Sequence, residues 1–219
     1  MRTMKVKVCG MRNGENIQQV EELGVDWIGM IFQSESPRNV TMIPTHAGII
    51  PDRRANFSTH SEVSGSCKKV GVFFDEMAQN IITRVVNFQL DVIQLSGNET
   101  PTLIRNLRRT LDPDICPNIS VWKAISLSTP ADLATYSLYE DCIDMFVFGL
   151  KKMDDAKLLE AYKGEKPFLL SGEIGPDNVA RINSFSHPRC IGIDLNTQFE
   201  TEPGMKDVSL LKQFLSGIH

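Results

Sequence analysis

The chain has 219 residues, of which 42% are hydrophobic and 23% charged, and its formal net charge is -4. That length holds a sizeable core in one large domain or two small ones, and the composition excludes a disordered chain. The acidic balance lends no support to a nucleic-acid partner, and no run approaches the 18 apolar residues of a membrane span, so neither partner is expected.

Short apolar runs alternate with longer amphipathic ones along the chain. MKVKVC (4–9) reads as a strand, NGENIQQVEEL (13–23) as a helix and VDWIGMIF (25–32) as a second strand. A helix over 42–50 follows, and then a polar, unpatterned insertion at about 51–67. KKVGVFF (68–74) and LDVIQL (90–95) are strands, preceding helices over 75–88 and 99–110. ISVWKAIS (119–126) precedes a helix over 130–139, and IDMFVF (143–148) one over 153–163. KPFLLS (166–171) precedes a helix over 175–185, and CIGIDL (190–195) one over 206–216. Run length and periodicity carry these assignments.

Eight strand–helix units share 219 residues, about 27 each, which implies parallel strands joined by crossover helices. Eight favours a closed, single-domain α/β fold, the (β/α)8 TIM barrel, over residues 1–219. An open doubly wound sheet is the rival and usually has fewer strands. Chemistry in such a barrel sits at the C-terminal strand ends. That rule selects Cys9, Gln94, Ser96, Lys123, Gly149, Ser171, Asp194 and Asn196 for inspection; a rim also holds residues that only fix loops.

Cys9 ends the first strand, where a thiolate can serve as nucleophile or general base, although cysteines are also common in cores. Arg38, in the SPR loop after the second strand, can fork two hydrogen bonds to a carboxylate, although a loop arginine is usually solvated. SGEIGPDNV (171–179) sets glycines before a helix N-terminus, an arrangement that cradles phosphate or simply turns the chain. Glu173 among those glycines opposes an anion if it points inward. The five cysteines are odd in number and form no CxxC pair. The N-terminal stretch lacks the pattern of a secretory signal, so free thiols and a cytoplasmic location are expected. The four histidines stand at no motif spacing from cysteines, and no metal site is assigned.

KVCGMR, NIQQVEELGVDWIGMIF, SPR, VGVF, DVIQLSGNE, PFLLSG and GIDLNTQFETEPGMKD, in this order, resemble the phosphoribosylanthranilate isomerase family of tryptophan biosynthesis. The resemblance runs from about residue 5 to 216, the insertion apart. It implies an Amadori rearrangement of N-(5-phosphoribosyl)anthranilate to 1-(2-carboxyphenylamino)-1-deoxyribulose 5-phosphate, with no metal or organic cofactor. The partner it implies is a phosphorylated small molecule carrying an aromatic carboxylate. It makes Cys9 the general base and gives the carboxylate to Arg38. The phosphate goes to Ser171, Gly172 and Ile174 and to Asp194, Asn196 and Thr197.

The sixth strand departs from the family pattern. It ends at Gly149 where the family carries an aspartate, the general acid, and the loop that follows is shorter than the family's. Asp144 stands five residues earlier, roughly 16 Å down an extended strand. Asp154 or Asp155, beyond the shortened loop, is the substitute proton source. Ser96 stands where the family usually has histidine, and Glu173 where it usually has a second glycine. The alternative expectation is a catalytically silent or repurposed relative that binds a phosphorylated small molecule or a protein partner.

Overall fold

The computed structural model describes residues 4–41, 44–45, 48–49 and 67–218. Eight parallel strands close into a barrel: β1 Lys5–Cys9, β2 Trp27–Ile31, β3 Lys68–Phe73, β4 Val92–Leu95, β5 Ser120–Leu127, β6 Met145–Leu150, β7 Phe168–Gly172 and β8 Cys190–Leu195. Each strand pairs with the next in the chain, and β8 closes on β1 with Lys7 in register with Asp194. Around the barrel run α1 Gly14–Glu21, α2 Ala78–Phe88, α3 Pro101–Leu111, α4 Pro130–Ala134, α5 Val179–Ser184 and α6 Val208–Gly217.

Alternate residues of a strand face opposite sides, and here both sides are buried. Trp27, Val70, Val72, Val92, Trp122, Met145, Val147 and Leu169 fill the barrel interior. The Trp27 and Trp122 rings meet edge-on at 5.2 Å. The intervening residues face the helices. There Phe146 and Phe148 stack at 5.3 Å, and Tyr162 and Phe168 pack edge-on against Phe148.

One device locks three strand junctions at the N-terminal rim. Asp26, Asp91 and Asp144 each follow a buried apolar residue and directly precede a strand or its first residue. Each side chain accepts a backbone N–H of the preceding strand at 2.8 Å, from Val6, Lys69 and Val121 respectively. Each aspartate's own N–H donates to the carbonyl of that same residue. Asp144 is thereby committed to the rim opposite the mouth, and it also pairs with Arg108 at 2.5 Å.

Two expectations change, and a third falls outside the described residues. The helix over 42–50 gives way, in its described residues, to an antiparallel pair between Pro44–Thr45 and Gly48–Ile49; Pro44 has no amide hydrogen to give a helix. The insertion at about 51–67 lies outside the described residues except for Cys67. Between β6 and β7 the expected α-helix is a 3-10 run over Met153–Ala161. Such a run rises about 2.0 Å per residue against about 1.5 Å in an α-helix, so the connection spans more of the flank than an α-helix of the same residues.

Candidate active site

Strand β1 carries Lys7 and Cys9 into the interior, two residues apart and on one face. Gly29 stands in register with Cys9 on β2. A Cβ there would lie 2.8 Å from the Cys9 Sγ and 3.2 Å from the Lys7 Cε, so the glycine makes room for both side chains. The Lys7 Nζ donates to the Asp194 Oδ1 at 2.9 Å, and both side chains are buried. The other Asp194 oxygen accepts from the Ser171 hydroxyl at 3.2 Å. Burial pushes the Cys9 thiol above its ordinary value; the Lys7 ammonium opposes that shift and the Asp194 carboxylate adds to it. Burial also disfavours the Lys7 ammonium, but Asp194 and Cys9 outweigh it and hold Lys7 above its ordinary value. At neutral pH the pair is therefore ammonium and thiol.

A second charged group lies beside the first. Arg38 donates from Nε to both Glu200 carboxylate oxygens, at 2.9 and 3.0 Å, and from Nη2 at 2.5 Å. Glu200 opens a hairpin after β8 whose strands are Glu200–Glu202 and Met205–Lys206. The buried Lys206 ammonium donates to Glu200 at 2.7 Å and to the Asn196 side chain at 2.9 Å. Burial pushes the Glu200 carboxyl up, but hydrogen bonds from Arg38 and Lys206 bring it below its ordinary value. Lys206 is driven down by burial, against Glu200. Gly10 lies beneath, at a φ of +79°; a Cβ on it would come within 2.6 Å of the Asn196 Oδ1 and 2.8 Å of the Arg38 Cδ. The loops after β1, β2 and β8 thus converge beside Cys9, and the charges of Lys206 and Arg38 act on its thiol.

Across the mouth the chemistry is sparser. Ser126, Gly149 and Ser171 are register partners across β5, β6 and β7. Met145 and Val147 face the interior, so Gly149 does too. The nearest atoms to a Cβ built on Gly149 are 3.9 Å away, which is ordinary contact distance. The row therefore offers two hydroxyls and an unfilled position. On β4, Gln94 is buried and donates to the Ser96 hydroxyl at 3.2 Å. Its Oε1 is the one buried side-chain oxygen or nitrogen without a partner among the described residues.

The other residues singled out by sequence scatter. Lys123 points away from the interior: its ammonium pairs with the buried Glu99 at 2.9 Å and lies over the Tyr139 ring. Trp122 takes the inward place beside it, so the strand-end rule picks the wrong face. Ile174 is buried in the outer core, with its N–H on the Gly172 carbonyl at 2.8 Å. The Gly175 N–H is taken by Asn178 at 2.7 Å. Glu173 is exposed and accepts from Gln198 at 2.7 Å. Thr197 is exposed at the start of a 3-10 turn. Asp154 pairs with Arg181 at 3.1 Å on the surface, and Asp155 caps the 3-10 run through the Lys152 N–H at 3.1 Å. Both carboxylates are thus engaged in contacts of their own.

Lys7, Glu200 and Lys206 are central to the geometry, yet strand-end reasoning passes over them. Lys7 had a signal: Lys5, Lys7 and Cys9 alternate with two valines in KVKVC, which marks a polar inward face. Glu200 and Lys206 had none, because their partners lie on loops distant in sequence. Among the described residues, no group of three or more His, Cys, Asp or Glu side chains is placed to hold a metal ion, and no helix is long and apolar enough to cross a membrane.

Residues 6–217 match the family model described as N-(5'-phosphoribosyl)anthranilate (PRA) isomerase. The N-(5'-phosphoribosyl)anthranilate isomerase of Parabacteroides distasonis is 40% identical, over 98% of this chain and 93% of its own length. That of Phocaeicola vulgatus is 35% identical, over 97% of each. A phosphoribosyl anthranilate isomerase solved in complex with reduced 1-(o-carboxyphenylamino)-1-deoxyribulose 5-phosphate superposes with a TM-score of 0.76. It is 26% identical and the match covers 98% of this chain and 97% of that one.

Proposed function

The chain belongs to the N-(5'-phosphoribosyl)anthranilate isomerase family, and we propose that it carries out the family's Amadori rearrangement with its acid step impaired. The observation that carries this reading is the buried set of Cys9, Lys7 and Asp194 at the mouth of β1 and β8. Cys9 removes the C2 proton of the ring-opened substrate. The Lys7 ammonium is the counter-charge that makes its thiolate accessible. Arg38 receives the anthranilate carboxylate from the edge of the same cluster. The phosphate lies toward the ends of β7 and β8, near Gly172, Asn196 and Thr197. Because Ile174 and Gly175 have committed their N–H groups within the loop, fewer donors remain for it there.

Ring opening needs a proton on the ribose oxygen, and Gly149 has none to give. A positioned general acid contributes about 10²–10⁴-fold, and water without fixed orientation loses the benefit of positioning. The reading places the enzyme in the cytoplasm, where its five free cysteines persist as thiols. Gly149 also favours a second reading, a barrel that binds a phosphorylated molecule or a protein partner without turnover. A steady-state assay on freshly generated phosphoribosylanthranilate, beside complementation of an isomerase-deficient strain, separates the two. The expected kcat/KM is at least about tenfold below that of a relative with a carboxylate at this position, and Cys9→Ala abolishes it. Absence of both turnover and complementation, in a folded protein that still binds the reduced product, establishes the second reading.

A further inference from the structure

We propose that Glu200 is a positioning residue for substrate binding: it clamps one edge of the Arg38 guanidinium so that the opposite edge is presented to the ligand's carboxylate. The inference rests on the reading that Arg38 receives that carboxylate.

Glu200 takes every hydrogen bond that the Arg38 side chain makes among the described residues, all through Nε and Nη2. A guanidinium carries five N–H donors in a rigid planar fork. With Nε and the adjacent Nη2 hydrogen engaged, the three remaining hydrogens lie on the far side of the fork. That side has the geometry for a second, bidentate carboxylate. The fork cannot rotate freely, because its stem lies close over Gly10. The Arg38 side chain keeps 18% exposure while that of Glu200 keeps 5%, so the open edge belongs to the arginine.

Glu200 is itself held from behind. Its Oε1 accepts from the Lys206 ammonium at 2.7 Å and from the Gly204 N–H at 3.2 Å. A carboxylate anchored on three sides stays in place when a ligand arrives, so it acts as a fixed bracket and does not compete with the ligand. The charges fit this role. Arg38 and Lys206 against Glu200 leave one positive charge, enough for one carboxylate. Lys206 also reaches Asn196, so one ammonium ties the carboxylate end to the last residues of the β8 rim. A purely structural alternative exists, in which the Glu200–Lys206 pair only shapes the hairpin, and the test separates it.

The test is a double-mutant cycle read by calorimetry. The probes are reduced 1-(o-carboxyphenylamino)-1-deoxyribulose 5-phosphate and its phenylamino counterpart lacking the carboxylate. Glu200→Gln is expected to weaken the carboxylate probe about tenfold and to leave the other within about twofold. In an Arg38→Ala background the same change adds less than about twofold. Should Glu200→Gln fail to fold, E200Q/K206M removes both members of the buried pair and is held to the same outcomes. Equal weakening of both probes, or a loss that persists without Arg38, overturns the proposal in favour of a hairpin role. If Arg38→Ala itself fails to distinguish the probes, the carboxylate assignment falls first, and that result is recognisable as such.

Discussion

Gly149 on β6 and Ser171 on β7 are register partners at the barrel mouth, and the Ser171 hydroxyl donates to Asp194 at 3.2 Å. A Cβ added at Gly149 would meet the Ile125 carbonyl and Ser126 at 3.9 Å, ordinary contact distance, so the position accepts one without overlap. Gly149→Asp is therefore expected to fold and to raise kcat/KM by about tenfold or more, toward the contribution of a positioned acid. The assay is steady-state turnover beside the parent protein. An unchanged kcat/KM in a folded variant would show that proton delivery to the ring oxygen does not limit the parent enzyme.

One position further along, the same pair of strands behaves oppositely. Gly172 has a φ of +119°, and a Cβ on it would come within 2.0 Å of the Leu150 carbonyl oxygen. Gly172→Ala should cost more than about 2 kcal/mol, from strained backbone and steric overlap together. Gly149→Ala should stay within about 1 kcal/mol of the parent. Urea denaturation of the two variants checks the contrast, and equal midpoints would contradict it.

The Cys9 thiol is held above its ordinary value, chiefly by burial. A raised value for an acid means that the protonated form persists at neutral pH. Both kcat/KM and alkylation of Cys9 by iodoacetamide should therefore rise with pH, by about tenfold per unit below the thiol's own value. Asp194 adds to the shift, so Asp194→Asn should move the limb of the alkylation profile downward. A parent limb at or below the ordinary thiol range would be inconsistent with the buried environment.

Gln94 holds a buried acceptor with no partner among the described residues. Replacing it with the similarly shaped, weakly polar methionine should raise unfolding stability by about 1 kcal/mol, because the desolvation cost of the orphan oxygen disappears. The urea midpoint measures it. A fall in stability would mean that the amide's bonds, the donation to Ser96 included, outweigh that cost.

Much of the fold was legible because strand and helix periods are local. The eight strands fall where apolar runs end in turn residues, while the aspartates of VDW, LDV and IDM, read as part of their strands, reveal their clasping role only in the fold. The sequence was less informative where distance along the chain had to be bridged. Strand ends pointed to Cys9, Ser171 and Asp194, which do converge, because period-2 alternation on a buried barrel decides which side chains face in. The same rule misplaced Lys123, because a lysine at a strand end reads alike on either face until Trp122 claims the interior. Arg38 was visible as a loop arginine, but its partner Glu200 lies 162 residues away, and no local pattern joins them. The 3-10 run over Met153–Ala161 escaped notice because its apolar residues also suit an α-helix.

The three aspartate clasps sit at the N-terminal rim, opposite Cys9 and Gly149, so closure of the barrel there does not rest on the groups at its mouth. A substitution at the mouth can therefore leave that closure intact, without the protein being cleared from the cell as a misfolded chain. That seam gives selection a persistent scaffold, on which an unfilled position such as Gly149 accepts a new side chain without disturbing the opposite rim.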